Sequence, residues 1–430
     1  MGQVLGKYRR FLFLQGPHGP FFDRLAGGLA AAGAETWHVA FNRGDEVFWS
    51  DRARLIRFDG PQAAWPSTCA ALMADRQITD LALYGDTRPH HATAIDAAHA
   101  AGLRVHIFEE GYLRPYWVTY ERGGANGHSR LMEMEIADLR ARLADETVPP
   151  VEAPAHWGDM REHILYGALY HWFVLALNRR YPHFQPHRGL TVRREFALYL
   201  RRLALLPLHT VERFAATRVI QAGGFPYHLV LLQLAHDASF RHHGPFETME
   251  DFLSLCVEGF ACGAPAHHHL VFKAHPLEDG RSPQRSVIAR LARRHGIAGR
   301  VHYVRGGKLA RLLDAASSAV TVNSTAGQQA LWRGLPLRAL GAAVYAKPEL
   351  VSPQPLAQFF AAPQRPDAAA YAVFRRFLLE TSQVPGGFYS RRGRAQLMRR
   401  IVDMVLAPSD PYDARTRPDD AAAQHLRLAQ

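Results

Sequence analysis

The first part of the chain alternates short apolar runs with longer helix-type patterns. The run RRFLFLQ ends at the turn-rich GPHGP, and the helical pattern FFDRLAGGLAAAG follows and closes at Gly33. Further on, TDLALYGD predicts a strand that meets a turn, HHATAIDAAHAAG a helix that ends at Gly102, and LRVHIF another strand. This order forms a βαβ unit, so we expect a parallel sheet covered by helices.

The pattern changes in the middle of the chain and then returns. Residues 131–220 contain few strand-like runs and an excess of basic residues, whereas FPYHLVLLQLAHD, HHLVFKAHP and SSAVTVNSTAGQQALWRGLP again predict strands followed by turns and helices. We therefore predict an N-terminal α/β domain at 1–224 with a basic helical insertion at about 131–220. A second α/β domain is predicted at 225–407 and a polar tail at 408–430.

Composition and charge restrict the classes of function. The chain has 430 residues and a formal charge of +12, which indicates an anionic partner. Its three cysteines (Cys69, Cys256 and Cys262) have neither the number for a disulfide framework nor the spacing of a metal site, so we expect a reducing cytoplasm. No apolar run reaches the roughly 20 residues of a membrane span, and the N-terminal run is too short for a signal peptide.

Polar residues follow the predicted strands in both halves of the chain. In open α/β sheets ligands bind at the carboxyl ends of the strands, so these residues are candidates for a common site. In the first half they are Gln15, His18, Asp86, Glu109, Glu110 and Arg114, and in the second half Lys273, His275, Pro276, Asn323, Ser324 and Thr325. Each one alone is also explained as an ordinary turn residue or a structural His-Pro pair.

The stretch from Asn323 to Gly327 has the pattern of a phosphate site. A β-branched strand runs into Asn-Ser-Thr and then into a small-residue helix, for which Ser324 or Thr325 would be a good N-cap. The same geometry leaves backbone N–H groups facing outward, and His275 on a neighbouring strand end can complete a phosphate site. The chain has no Walker loop, no GxGxxG motif and no Asp-x-Asp metal motif, so we expect no metal.

The chain resembles the capsule polysaccharide biosynthesis family of KpsS or LipB type, which is related to the paired modules of KpsC. The matching stretches run in family order from about residue 10 to residue 390. They are QGPHGPFF, FNRGDEVFW, YGDTRPHH, FEEGYLRPYWVTYERGGANGHS, LLQLAHDAS (with Gln233 and Asp237), FKAHPLEDG, VTVNSTAGQQAL, LGAAVYAKPEL and GGFY. Because several of them are long, chance is a poor explanation.

The resemblance implies a GT-B glycosyltransferase with two Rossmann-like domains facing each other across a cleft. It implies a β-Kdo transferase that uses CMP-Kdo as donor substrate and needs no other cofactor. The implied acceptor is an anionic phospholipid of phosphatidylglycerol type at the cytoplasmic face of the inner membrane, and a capsule biosynthesis or export complex is a possible partner. By similarity, Glu109 and Glu110 match an acidic motif, His275 and Pro276 a nucleotide motif, and Ser324 and Thr325 a phosphate motif.

The adjacent carboxylates suit a retaining reaction. CMP-Kdo carries its nucleotide on the β face, so a β-linked product requires retention, most simply through two inversions and a covalent sugar adduct. We favour Glu110 as nucleophile because Gly111 leaves room beside it, while Glu109 orients it or raises its pKa. Asp86 is a second candidate for acid/base work or acceptor contact, and its alternative role is to cap a turn.

The middle segment has a basic amphipathic pattern. In RREFALYLRRLALLPLH the residues Phe196, Leu200, Leu203 and Leu206 fall near one helical face, with Arg193, Arg194, Arg201 and Arg202 close by. Such a helix either packs its apolar face on the core or docks on an anionic membrane.

Two other functions compete with the transferase. A non-catalytic capsule polysaccharide-binding or export component would fold similarly, but the paired glutamates argue against it. A nucleic-acid-binding protein is suggested by charge alone, and since the chain has no recognised nucleic-acid-binding motif we expect no such partner.

Overall fold

The computed structural model describes residues 8–143, 160–185, 192–278 and 280–413. The chain divides into two compact units. The first draws on Met1–Arg130, Ala137–Val192 and Arg375–Gln430, and the second on Leu131–Ile136 and Arg193–Phe374.

The described strands, in chain order, are β1 (Arg10–Phe13), β2 (Glu35–Ala40), β3 (Leu55–Arg57), β4 (Asp80–Tyr84), β5 (Arg104–Glu110), β6 (Trp117–Arg122), β7 (Tyr227–Leu231), β8 (His269–Lys273), β9 (Val301–Val304), β10 (Ser318–Thr321), β11 (Leu337–Ala339) and β12 (Gln383–Pro385). The described α-helices are α1 (Phe21–Ala31), α2 (Arg43–Val47), α3 (Trp65–Asp75), α4 (Pro89–Ala100), α5 (Ile136–Arg142), α6 (Met160–Leu177), α7 (Val192–Ala204), α8 (Leu206–Ala222), α9 (Ala238–His243), α10 (Met249–Gly263), α11 (Gln284–Arg294), α12 (Ala310–Leu313), α13 (Gly327–Trp332), α14 (Leu356–Ala361), α15 (Ala368–Glu380) and α16 (Arg391–Leu406).

The first unit is built on a seven-stranded sheet in the order β12-β6-β5-β4-β1-β2-β3. Strands β1 to β5 are parallel, β6 is antiparallel to β5, and β12 is antiparallel to β6. Successive residues of β1 enter opposite cores, because side chains alternate across a strand. Phe11 and Phe13 pack with α1 and α16, whereas Leu12 packs with α3 and α4. Helices therefore cover both faces, as the βαβ pattern predicts.

The second unit is a five-stranded sheet in the order β11-β10-β7-β8-β9, in which every described pair is parallel. One of its faces packs on Phe252 and Phe260 of α10 and on Phe359 of α14. The register pairs Thr321 with Leu231, Leu231 with Lys273, and Lys273 with Val304, so the carboxyl ends of these strands finish level with one another. The predicted fold class is confirmed: the chain is α/β, with the two Rossmann-like units of a GT-B fold.

The compact units differ from the predicted domain boundaries in two places. The basic helices α7 and α8 were predicted within the first domain, but they belong to the second unit. From Arg375 the chain returns to the first unit, where β12 pairs with β6 and α16 packs on α1. The physical reason is apolar burial, because Val384, Phe388 and Leu397 fill the core of the first sheet.

The start of the predicted polar tail is part of the fold. Tyr412 is buried, and its hydroxyl donates to Glu121 Oε1 at 2.7 Å. Residues 414–430 of that tail lie outside the described residues. Among the described helices, none combines the length and the apolar character needed to cross a bilayer.

Candidate functional site

Glu109 and Glu110 are the last two residues of β5, and the strand continues through both of them. They were predicted to follow the strand, but each pairs with β6, Glu109 with Thr119 and Glu110 with Val118. Neighbouring residues of a strand point to opposite faces of the sheet. The two carboxylates therefore do not stand side by side, and each has its own surroundings.

Glu109 lies against the end of β4. Its Oε1 accepts a hydrogen bond from the backbone N–H of Glu110 at 3.0 Å, and a Cβ on Gly85 would lie 3.2 Å from its Oε2. Burial raises the pKa of Glu109 to about 7, and the negative charges of Glu110 and Asp86 add to the rise, against the opposing effects of the Glu110 N–H and Arg114. A carboxyl group with this pKa can exchange a proton near neutral pH.

Glu110 lies among two tyrosines and a histidine. The Tyr84 hydroxyl lies 3.5 Å from Glu110 Oε1, and the negative charge of Glu110 also acts on Tyr389 and His163. The rings of His163 and Tyr389 lie 3.9 Å apart. Burial raises the pKa of both tyrosines well above the usual value, so both hydroxyls keep their protons as donors. Glu110 therefore has two hydroxyl donors close to its carboxylate.

Gly111 is required for a reason other than the predicted one. A Cβ at this position would overlap the carbonyl oxygens of Trp117 and Leu113, so glycine is needed for the close approach of the backbone beside β6. The room that Gly111 leaves beside Glu110 stays a prediction, and the surroundings of Glu110 are a second reason to prefer it as nucleophile.

Asp86 and Arg114 are both near the acidic pair. Asp86 is buried and accepts from the Ala125 backbone N–H at 3.0 Å, and His128 Nδ1 lies 3.1 Å from its Oδ2. These contacts give Asp86 a structural role in holding the loop after β6. Arg114 donates through Nε to Gly111 O at 3.2 Å, and its charge lowers the pKa of Glu109.

Gln15 and His18 belong to a neighbouring polar network after β1. Gln15 is buried, and its Nε2 donates to Asp45 Oδ2 at 2.9 Å. Its Oε1 accepts from Arg88 at 3.1 Å and contacts His90 Nε2 at 2.8 Å, while the His18 ring lies 4.2 Å from that of Tyr170. Gln15 Nε2 also lies 3.2 Å from the Tyr170 hydroxyl, so four polar groups hold this side chain in place.

Sequence reasoning did not select Asp45, Tyr389 or His163. Burial raises the pKa of Asp45 to about 6. Asp45 and Tyr389 lie in FNRGDEVFW and GGFY, two of the stretches that carry the family resemblance, so those stretches were the available signal. His163 has no comparable signal, since its segment matches none of them.

Lys273 and His275 end and follow β8 in the second unit. Lys273 is buried, and burial lowers its pKa to about 8, with the Arg213 charge adding to the effect. His275 Nδ1 accepts from the Leu277 backbone N–H at 3.1 Å, so the neutral ring carries its proton on Nε2. This tautomer gives His275 an N–H donor, while Pro276 is exposed beside it.

Gln233 and Asn323 clamp the ends of β7 and β10 together. Gln233 Nε2 donates to Asn323 Oδ1 at 2.8 Å, and the Asn323 backbone N–H donates to Gln233 Oε1 at 3.2 Å. Asn323 Nδ2 donates to Ser239 O at 2.7 Å, and Asp237 caps α9 by accepting from the Ser239 N–H at 3.3 Å. Gln233, Asn323 and Asp237 therefore position the strand ends.

Ser324 and Thr325 precede α13 but do not occupy its N-cap position, which is Ala326. The prediction that one of them is the N-cap is wrong, because Ser324 Oγ instead accepts from the Ala326 N–H at 3.2 Å and forms a local turn. The Tyr345 hydroxyl donates a hydrogen bond to the Ser324 carbonyl oxygen at 2.6 Å. A hydroxyl that accepts still has its own proton to donate, so Ser324 is a second donor at this edge.

The apolar side of the basic segment is exposed to solvent. Phe196 and Leu200 on α7 are 45% and 49% exposed, and Leu206, 48% exposed, belongs to α8. Arg194 and Arg201 are exposed as well. The side chains of Arg193, Arg202 and Leu203 lie outside the described residues. The described apolar side chains of this face therefore do not pack on the core, contrary to one of the two alternatives.

The sequence of the chain is similar to those of capsule polysaccharide proteins. Residues 79–389 match the model of the family described as capsule polysaccharide biosynthesis protein. The chain is 32% identical over 387 residues to the capsule polysaccharide export protein KpsS of Escherichia coli, which covers 90% of this chain and 98% of that protein. It is 31% identical over 398 residues to the capsule polysaccharide modification protein LipB of Neisseria meningitidis serogroup A, which covers 90% and 93%.

Among solved structures, KpsC of Thermosulfurimonas dismutans, described as a beta Kdo 2,7 transferase, aligns with 92% of this chain and 99% of its own at 12% identity and a TM-score of 0.44. The sequence matches confirm the resemblance seen in the motifs. The chain belongs to the capsule polysaccharide biosynthesis family.

Proposed function

We propose that this chain is a retaining β-Kdo transferase that moves Kdo from CMP-Kdo to an anionic phospholipid acceptor of phosphatidylglycerol type. The observation that carries the proposal is the pair Glu109 and Glu110, two consecutive carboxylates in different surroundings at the carboxyl end of β5. A double displacement needs one nucleophile and one group that exchanges a proton near neutral pH, and the two carboxyl groups suit these two roles. The family membership supports a role in capsule synthesis.

In the proposed mechanism the Glu110 carboxylate attacks the anomeric carbon of Kdo, and the bond to CMP breaks. CMP leaves with the bonding electron pair, and its phosphate accepts hydrogen bonds from His275 Nε2–H and the Ser324 hydroxyl. An acceptor hydroxyl then attacks the glycosyl ester and restores free Glu110. Glu109 takes the hydroxyl proton in this second step, for which its pKa of about 7 is suitable.

The test is to incubate the full chain with CMP-Kdo and vesicles that contain lysophosphatidylglycerol, and to measure released CMP. A transferase releases CMP at its full rate only when donor and acceptor are both present. A non-catalytic polysaccharide-binding component would release none, and that result would refute the proposal. CMP-sialic acid serves as the matched control donor, because it has the same nucleotide and a different sugar. It therefore tests whether the enzyme recognises the sugar as well as the nucleotide.

Metal removal is expected to leave the reaction intact. CMP is a monophosphate leaving group, so it develops less charge than a diphosphate, and His275 with Ser324 supplies donors for it. We expect the same rate of CMP release in excess EDTA as in magnesium. A rate that EDTA abolishes and magnesium or manganese restores would show that these residues are not the whole leaving-group site.

The rate of transfer is expected to depend on the ionisation of Glu109. If Glu109 is the base of the second step, the rate falls as pH drops through about 7, and Glu109→Gln removes this limb together with most of the activity. The matched control is Glu35→Gln, at the start of β2 and partly exposed. An unchanged pH profile in Glu109→Gln would assign the base to another group, such as Asp86.

The stability of the protein should report the same ionisation without any substrate. The folded-state pKa of Glu109 is raised, so the folded state binds more protons than the unfolded state between about pH 4.5 and 7. The stabilising effect of the protonated group is therefore present at low pH and is lost as pH rises through 7. Relative to the unmodified chain, Glu109→Gln should gain unfolding free energy from pH 5 to pH 8, by up to about 3 kcal/mol. An equal difference at both pH values in urea denaturation would contradict the raised pKa.

A further inference from the structure

The second unit contains a cavity of about 440 Å³ that none of the predicted nucleotide residues lines. Its walls come from the end of α7, the start of α8, the loop after β8, α11 and the end of β9. The cavity therefore joins the basic helices to the body of the second sheet. No step of the proposed transfer reaction uses its residues.

The charges around this cavity suit a monoanion. Three arginines line it, Arg201, Arg285 and Arg305. The carboxylates opposing them are Glu278 in the wall and Glu212, which is ion-paired with Arg285 and lies 3.5 Å from Arg305. Among the described residues, these three guanidinium groups against two carboxylates leave a formal excess of one positive charge. A phosphodiester carries one negative charge, and arginine is the residue best suited to bind it.

The wall of the cavity contains a buried amide oxygen, that of Gln284, which can accept a hydrogen bond from a ligand. Gln284 is 2% exposed, and among the described residues its Oε1 has no hydrogen-bond partner, while its Nε2 reaches Gln233 O only at 3.5 Å. A buried acceptor without a partner is unfavourable because it has lost its hydrogen bonds to water. A hydroxyl group of a ligand would satisfy it, so the cavity suits an anion that also carries hydroxyls.

Helix α8 presents apolar side chains to solvent next to this cavity. Leu205 and His209 face the cavity, whereas Leu208, Val211, Phe214 and Val219 are between 57% and 67% exposed. At about 3.6 residues per turn, Val211 and Phe214 fall on the opposite side of the helix from Leu205 and His209. Arg194, Arg201 and Arg218 are exposed nearby in α7 and α8. Exposed apolar residues combined with arginines are complementary to an anionic bilayer, because acyl chains cover the former and headgroups pair with the latter.

We propose that this cavity is an anchoring site for the glycerol phosphodiester headgroup of an anionic phospholipid, with the exposed row of α8 entering the acyl region of the membrane. Arg201, Arg285 and Arg305 pair with the phosphate, and Gln284 accepts a hydrogen bond from a headgroup hydroxyl. The site goes beyond the proposed function, because it anchors the enzyme and needs no chemistry at Glu110. Its failure and the failure of the transfer reaction are therefore separate results.

The test is sedimentation of the full chain with vesicles of phosphatidylcholine alone, or with about 30% phosphatidylglycerol added to give the surface a negative potential. We expect binding only to the anionic vesicles, weakened at least tenfold in Arg201→Gln/Arg305→Gln and in Val211→Gln/Phe214→Gln. CMP affinity should stay unchanged in both. The matched control is Arg290→Gln, an exposed arginine of α11 outside the cavity, which should bind as the unmodified chain does.

Soluble probes separate a lipid site from a general anion site. Glycerophosphoglycerol should compete with the anionic vesicles, and inorganic phosphate should compete much less because it has no hydroxyls on carbon. Equal competition by both would reduce the cavity to a phosphate site and overturn the lipid assignment. Equal binding to both vesicle types would also overturn the lipid assignment. A loss of self-association in Val211→Gln/Phe214→Gln with vesicle binding intact would overturn it in favour of a second copy of the chain.

Discussion

Replacing Glu110 by glutamine is expected to abolish CMP release and glycolipid formation. Glutamine keeps the size of the side chain but removes the charge and the nucleophilic oxygen, so no glycosyl ester can form. The contacts proposed for the nucleotide come from the second unit, so the affinity for CMP should stay within a few fold. The measurement is turnover with CMP-Kdo and lysophosphatidylglycerol vesicles, combined with calorimetry of CMP binding.

The control variants for this experiment lie in the same unit. Tyr389→Phe removes one hydroxyl near Glu110 and keeps the ring, so it should reduce turnover partially by removing a hydrogen-bond donor that positions the carboxylate. Glu35→Gln should have no effect. If Glu110→Gln turned over at a near-normal rate, the nucleophile would have to be Glu109 or Asp86 instead.

Loss of the donor contacts should weaken CMP binding. His275→Ala removes the Nε2–H donor and Ser324→Ala removes the hydroxyl, and a hydrogen bond to a charged group is worth roughly 1.5 to 3 kcal/mol. Each variant should therefore lower CMP affinity roughly 10- to 150-fold. Titration calorimetry with CMP measures this directly, and no acceptor is needed.

His267→Ala is the matched control for the donor experiment. His267 is exposed and precedes β8, whereas His275 follows it, so a strand length separates the two histidines. Unchanged CMP affinity in both His275→Ala and Ser324→Ala would place the nucleotide elsewhere in the protein. A loss in His267→Ala as large as that in His275→Ala would indicate a general effect on the second unit.

The sequence predicts the elements of this fold better than their assembly. The runs around Phe11, Leu81 and Val271 are apolar at consecutive positions, which is typical of strands buried on both faces, and all three are interior strands with a parallel neighbour on each side. The return of the chain to the first unit was not predicted, because it depends on contacts between residues far apart in sequence. Val384, for example, pairs with Val118, and no local pattern contains that information.

The candidate site was predicted to a similar extent. Strand-end reasoning selected Glu109, Glu110, His275 and Ser324, because carboxyl ends of parallel strands lie at one edge of a sheet, and their functional roles stay predictions. It did not find Tyr389 and His163, which reach Glu110 from helical and loop segments distant in sequence. It also could not tell that Gln233 and Asn323 are occupied with each other, since hydrogen-bond partners depend on side-chain geometry.

The central claim is that the chain transfers Kdo with retention, and the anomeric configuration of the product tests it most directly. The full chain would be incubated with CMP-Kdo and lysophosphatidylglycerol vesicles, and the purified glycolipid analysed by NMR. We predict one Kdo per lipid in the β configuration, formed in the same amount as the released CMP. An α-linked product would contradict the double displacement at Glu110, and the absence of any Kdo-lipid would contradict the transferase itself.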